Sequence, residues 1–332
     1  MKIKRRKFAA IKKDVAANKK LLDQIHEARQ AVRGYTTVPL AQRGANANAV
    51  RAFVAKDPAA HRMFNLLAQG DSWFDYPPGT DLIDCLHSKY GHTITNIAVA
   101  GSTLNDEAYG PVPREMFGLP FGPKQSDDPD RITELVHHIQ QGSDQGKFQG
   151  LLLSAGGNDV AGDEFFSFIN NARSGLTPVN AEVLDGVVNG TCKTAYLYLI
   201  DTALKAANDP GFKIFTHGYD YPWPDGRGVI HFLGWKVGPW FDPTFNEKNY
   251  PYEDEDTAQL QARHDIIVKF IDAVNDMLAG IAADVNYKGK VFHADLRGTL
   301  KSADDWANEL HPVNSGFSAL ADVLDASLQA NM

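Results

Sequence analysis

Leu66-Leu67-Ala68-Gln69-Gly70-Asp71-Ser72-Trp73-Phe74 is a short apolar run that stops abruptly at Gly-Asp-Ser. An apolar run of this length closed by a glycine turn reads as a buried strand that delivers a hydroxyl at its C-terminal end. Open α/β sheets bind their ligands at that end. The tripeptide alone is weak, because Asp and Ser also suit turns and helix N-caps. Its weight comes from the stretches that follow it in the chain.

Downstream, strand-like and helix-like stretches alternate. Residues 81–87 read as a helix, Thr93 to Ala100 as a second strand, and Arg131 to Gln141 as a helix with one apolar face. A leucine-rich strand from Gly150 to Ala155 ends in Gly156-Gly157-Asn158-Asp159. A helix around Val183 to Ala207 leads to a strand at Phe212 to His217. A second one, about Asp256 to Ala283, leads to a strand at Lys290 to Asp295, and a final helix closes the sequence. Five strands separated by helices predict a parallel sheet covered on both faces, an α/β fold.

Composition agrees with one large domain carrying additions. The 332 residues are 43% hydrophobic and 22% charged, ordinary for a globular chain. No apolar stretch approaches the roughly 20 residues of a membrane helix, and the basic N-terminus lacks the apolar core of a secretion signal. The expectation is a cytoplasmic protein with no integral membrane segment. Cys85 and Cys192 form no disulfide framework or metal-ligand spacing and read as buried small hydrophobes.

Charge is unevenly placed. Residues 1–33 hold 11 of the 33 Lys and Arg but only three of the 41 acids, a balance of +8 against −8 for the whole chain. Within them Phe8, Ile11, Val15, Asn18, Leu22, Ile25, Arg29 and Val32 recur at spacings of three and four, one stripe on one helix. The expected division is therefore a basic amphipathic helix at 1–34, a connector at 35–62 and the α/β domain at 63–332. The stripe is expected to pack on its own domain or on a second copy of the chain. An anionic membrane or nucleic acid is disfavoured as partner, because the acidic body would repel it.

Three strand ends carry groups suited to acyl transfer, in which a hydroxyl attacks a carbonyl, a histidine takes its proton and fixed N–H donors stabilise the oxyanion. Ser72 offers the hydroxyl, Gly101 an unobstructed backbone N–H and Asn158 a side-chain amide. His311, in Asn308-Glu309-Leu310-His311-Pro312, lies between the last strand and the last helix and can fold over the same edge. In this order the blocks resemble the SGNH hydrolase superfamily, the GDSL-type esterases and lipases: Gly70-Asp71-Ser72, Gly101, Gly156-Gly157-Asn158-Asp159 and His311-Pro312. The resemblance spans roughly residues 63–332. It implies a flavodoxin-like three-layer α/β/α sandwich, the SGNH hydrolase fold, with no metal or organic cofactor. It also implies Ser72 as nucleophile and His311 as base, with the Ser72 N–H, the Gly101 N–H and the Asn158 side chain as oxyanion hole.

The sequence departs from that family at one point. Aspartate usually stands three residues before the histidine, and here position 308 is asparagine. Asp305 is the favoured third member, reaching back across the turn, with Asn308 or a bare Ser-His dyad as alternatives. The expected activity is cleavage of an oxygen or thiol ester. The alternatives are an inactive scaffold of the same fold, suggested by the irregular acid position, and an acyltransferase using the same site.

Residues 219–252 form the large insertion, dense in aromatics, and are expected to pack as a subdomain or to roof the site. Trp73, His217, Tyr219 and Tyr221 are the candidate pocket residues. His137-His138 on a helix is expected to face solvent, since adjacent helical side chains diverge. No Gly-x4-Gly-Lys-Ser/Thr phosphate loop or nucleotide fingerprint is present.

Overall fold

The computed structural model describes residues 6–36, 61–76, 79–113, 115–116, 119–120, 129–230, 236–253 and 256–332. β1 (Asn65–Gly70) is buried along its whole length. It pairs in parallel with β2 (Thr93–Asn96) on one side and β3 (Gly150–Ser154) on the other. β4 (Lys213–His217) pairs with β3, and β5 (Val291–Ala294) with β4, both in parallel. The sheet order is therefore β2-β1-β3-β4-β5, the flavodoxin-like order. The direction of winding reverses between β1 and β3, so the crevice at their carboxyl ends is the expected ligand site. That is where Ser72 and Asn158 emerge.

The second strand is shorter than its apolar run. Asn96 ends it, its side chain donating to Phe74 O (2.6 Å) and accepting from Ala98 N (2.9 Å). The chain still tracks β1 through Ile97 N to Ala68 O and Val99 N to Gly70 O, both 2.8 Å. The turn after it therefore reaches the same edge as Ser72.

The main helices are α1 (Phe8–Thr36), α2 (Leu82–Tyr90), α3 (Leu104–Tyr109), α4 (Arg131–Gln141), α5 (Lys193–Ala207), α6 (Asp242–Glu247), α7 (Thr257–Ala283) and α8 (Asn314–Asn331). α2 starts at an Asp81 cap and α7 at an Asp256 cap, each carboxylate accepting first-turn N–H groups. Helix α5 is entered through a π-helical stretch, Gly186–Cys192. α2 and α8 pack together on one side of the sheet, while α4, α5 and α7 form the other layer. Cys85 and Cys192 are buried free thiols, and burial pushes both up to about 12. No helix among the described residues is long and apolar enough to cross a membrane.

α1 lies on α4, with Ile11, Val15, Leu22 and Ile25 buried. Arg29, on the same stripe, is buried and donates to Glu134 Oε1 (2.7 Å), while Arg131 donates to Glu134 Oε2 (2.6 Å). Burial would raise the Glu134 pKa, but the two guanidinium charges outweigh it and hold the carboxyl below its ordinary value. These stripe residues thus pack on the chain's own domain, and the side chain of Val32 lies outside the described residues. The docking also corrects the reading of His137 and His138. Both are buried beneath α1, His137 Nε2 at 2.8 Å from Asp23 Oδ1. Residues 37–60, most of the expected connector, are outside the described residues.

Candidate active site

Ser72 follows β1 in a tight turn in which Phe74 N donates to Asp71 O (3.1 Å) and Trp73 N to the Asp71 carboxylate (3.0 Å). Asp71 is wholly buried beneath the serine and also accepts from Ser154 Oγ (3.0 Å) and the Tyr219 hydroxyl. Burial pushes its pKa up to about 6 despite those donors. The carboxylate faces the turn's interior and props the loop from below.

His311 reaches Ser72 from the other end of the chain. Its Nε2 lies 2.7 Å from Ser72 Oγ. Its Nδ1 lies 3.0 Å from Asn308 Oδ1, which also accepts from Leu310 N (2.9 Å) and His311 N (3.0 Å). Two backbone donors identify that atom as the amide oxygen, so Nδ1 carries the proton and Nε2 presents its lone pair to the serine. The Asn308 amide nitrogen donates to the Tyr76 hydroxyl (3.0 Å), which fixes the other end of the side chain. Tyr76 also stacks on the imidazole at 4.2 Å, and Trp240 meets it edge-on at 5.9 Å.

The partner of His311 is therefore Asn308, and the preference for Asp305 is overturned. The Asp305 carboxylate accepts from Lys301 N (2.8 Å) and Ser302 N (2.9 Å), closing a capping box around its own short turn. The loop after it is pinched by the pairing of Trp306 with Pro312, which turns residue 308 rather than 305 toward the ring. With a neutral amide for a partner, nothing offsets burial, and the His311 pKa falls to about 3.

The three loops at the sheet edge are tied to one another. Asp75 accepts from Ala100 N (3.1 Å), joining the serine loop to the Gly101 turn. The Asn158 amide donates to Ser102 O (2.9 Å), joining that turn to the loop after β3. Tyr219 closes the ring, accepting from Gly157 N (3.0 Å) and donating to Asp71. A Cβ on Gly157 would come within 2.9 Å of the Tyr219 ring, so glycine is needed for that contact. Gly101 has φ +79 and open space where a Cβ would stand. Among the described residues, neither the Ser72 nor the Gly101 N–H meets an acceptor.

Of the candidate pocket residues, Trp73 and Tyr219 line the cavity beside Ser72, together with Asn158. His217 does not, being fully buried behind Trp73 and Phe74, with burial pushing its pKa down to about 3. Tyr221 also misses the cavity and donates to Asp272 Oδ1 (2.7 Å). Within the insertion, Phe232 and Trp235 lie outside the described residues, while Phe241 both packs on Phe165 and lines the cavity.

Glu309 and Tyr76 were not singled out from sequence. The buried Glu309 carboxylate accepts from the Gly226, Trp240, Phe241 and Asp242 N–H groups at 2.6–3.1 Å, clamping the insertion to the histidine loop. Burial raises its pKa to about 7 against those four donors. Nothing in the local sequence marked it, because its donors come from residues 226–242.

One group of His and Asp side chains with metal-ligand spacing occurs among the described residues, His61, His92 and Asp325. His92 Nδ1 accepts from Phe64 N (3.1 Å), so its Nε2 carries a proton toward Asp325 Oδ1 (2.8 Å). That tautomer suits a hydrogen-bonded clamp between β1 and α8 and not a ligand set.

No protein-family model matches the chain, and no curated protein sequence does. Solved structures similar to it include an extracellular lipase from Streptomyces rimosus, at 14% identity and TM-score 0.45, covering 79% of this chain and 98% of that one. Another is a family 3 carbohydrate esterase from Clostridium thermocellum, at 14% identity and TM-score 0.39, covering 82% and 100%. A third is the periplasmic domain of a lipopolysaccharide acetyltransferase from Salmonella ser. Paratyphi A, at 12% identity and TM-score 0.41, covering 92% and 96%. At these values the chemistry has to be read from the site itself.

Proposed function

We propose that this chain is a serine hydrolase of the SGNH type that cleaves carboxylic esters, oxygen or thiol, through an acyl-enzyme. The observation that carries the reading is the 2.7 Å approach of His311 Nε2 to Ser72 Oγ, with Nδ1 held on Asn308 Oδ1. His311 takes the Ser72 proton as Oγ bonds to the carbonyl carbon. The negative charge that develops on the carbonyl oxygen meets the Ser72 and Gly101 N–H groups and the free N–H of the Asn158 amide. Collapse breaks the carbon–oxygen or carbon–sulfur bond, and His311 returns the proton to the leaving group. Water then repeats the sequence on the acyl-Ser72 ester. Asn308 holds the tautomer without supplying charge, as an orienting group can.

A fluorophosphonate probe at pH 8 tests the reading. Labelling is expected on Ser72 and absent in Ser72→Ala, which should also lose turnover of p-nitrophenyl acetate while keeping its melting temperature. An unlabelled wild type without esterase activity would leave the scaffold alternative in its place.

A further inference from the structure

Beside Ser72 the crevice deepens into a pocket whose walls are Val160, Phe241, Ile267, Phe270, Ile271 and Val274. The last four stand at helical spacing on one face of α7, which runs alongside β4 and β5. Most of the polar side chains that reach the pocket are already engaged. Asp71 accepts from Trp73 N, Ser154 and Tyr219. Asp220 accepts from Tyr221 N (2.8 Å), Gly298 N (2.6 Å) and Leu300 N (2.7 Å). The Tyr219 hydroxyl is held between Gly157 N and Asp71, while Trp306 Nε1 is buried with no hydrogen-bond partner. Among the described residues, Ser72, Asn158 and Trp306 are the lining residues whose polar side-chain groups are not already fully engaged, and the rest of the wall is mostly apolar. A sugar would leave most of its hydroxyls unpaired there, at a cost comparable to a lost hydrogen bond for each. An aliphatic chain loses nothing.

The direction of the ester follows from the proton. His311 must protonate the leaving group, so the alcohol or thiol lies on its side of Ser72, where Tyr76 and Trp240 flank the imidazole. The pocket is lined by Trp306 and Leu310 of the same loop but not by His311. The acyl group is thus the part that enters. The cavity measures about 40 Å³, room for roughly three water-sized groups such as methylenes.

We infer that the α7 pocket is an acyl-binding site that selects short aliphatic acyl groups of about two to four carbons over sugars. The inference rests on the ester-hydrolase reading of Ser72. The test is kcat/KM across p-nitrophenyl esters from acetate to dodecanoate, for the wild type, Ile271→Ala and Ile271→Trp. In the wild type the value should climb by about fourfold per methylene while the chain still fits, peak near butyrate, and fall at least tenfold by octanoate. Ile271→Ala should move the peak to longer chains. Ile271→Trp should move it to acetate, with kcat/KM on butyrate down at least tenfold and the melting temperature read as the check on folding. A profile that Ile271 does not shift, while Ser72-dependent turnover persists, would overturn the pocket assignment. Absence of Ser72-dependent turnover on every ester would instead overturn the hydrolase reading on which it rests.

Discussion

Replacing Asn308 separates what the amide does from what a carboxylate would do. In Asn308→Asp the new carboxylate can accept the same three N–H groups, and the Tyr76 hydroxyl can turn to donate to its other oxygen. The added charge would stand roughly 4 Å from the imidazole centre, worth about 4 kcal/mol at an effective dielectric near 20. That equals about three pKa units, enough to carry His311 from about 3 to about 6. A general base works only when neutral, so activity disappears as pH falls through the histidine pKa. Wild-type kcat/KM should therefore show no His311 limb down to about pH 4, whereas Asn308→Asp should acquire one near pH 6. The Glu309 titration near 7 is common to both enzymes, so the difference between the two profiles is the measurement. At pH 8 the variant should equal or exceed the wild type. Asn308→Ala leaves three donors without an acceptor and the ring free to turn, and should lose on the order of 10²–10⁴ in kcat, the range of a positioned base. Asp305→Ala should cost a turn cap of about 1 kcal/mol and less than about tenfold in kcat. Stopped-flow or steady-state hydrolysis of p-nitrophenyl acetate between pH 4 and 9, with thermal melts, decides. Equal losses at 305 and 308 with native melts, or an Asn308→Asp profile identical to wild type, would refute the reasoning.

Asn158→Ala should lower kcat on the order of 10²–10³ if its amide serves the oxyanion, and a change confined to KM would assign it to ground-state binding instead. Glu309→Ala leaves four N–H groups of the insertion without their acceptor. A loss of roughly 3 kcal/mol, read as a fall in melting temperature of about 4 °C, should accompany a rise in KM; an unchanged melt would mean the insertion is held elsewhere. Arg29→Ala strips one of two cations from the buried Glu134 and should destabilise by about 3 kcal/mol. It should leave the assembly state unchanged in light scattering, and a change there would return α1 to the role of an oligomer contact.

The frame of this protein was written locally. Apolar runs of strand length, each closed by glycine or a polar turn, specify β1, β3, β4 and β5 because burial on both faces of a parallel sheet demands them. The order of Ser72, Gly101, Asn158 and His311 along the chain was enough to place all four at one edge, since every parallel strand delivers its C-terminus to the same side. What depended on the tertiary structure is the direction of side chains within short loops and the covering of faces. Asp305 and Asn308 stand three residues apart, and only the Trp306–Pro312 pinch decides which meets the imidazole. His137 and His138 sit on a helix whose outer face is solvent until α1, over a hundred residues earlier, lies across it. His217 ends a strand at the functional edge yet points into the core behind Trp73. Glu309 satisfies backbone donors from an insertion more than 65 residues upstream. Local patterns record which residues must be buried, and contacts between distant segments determine against what.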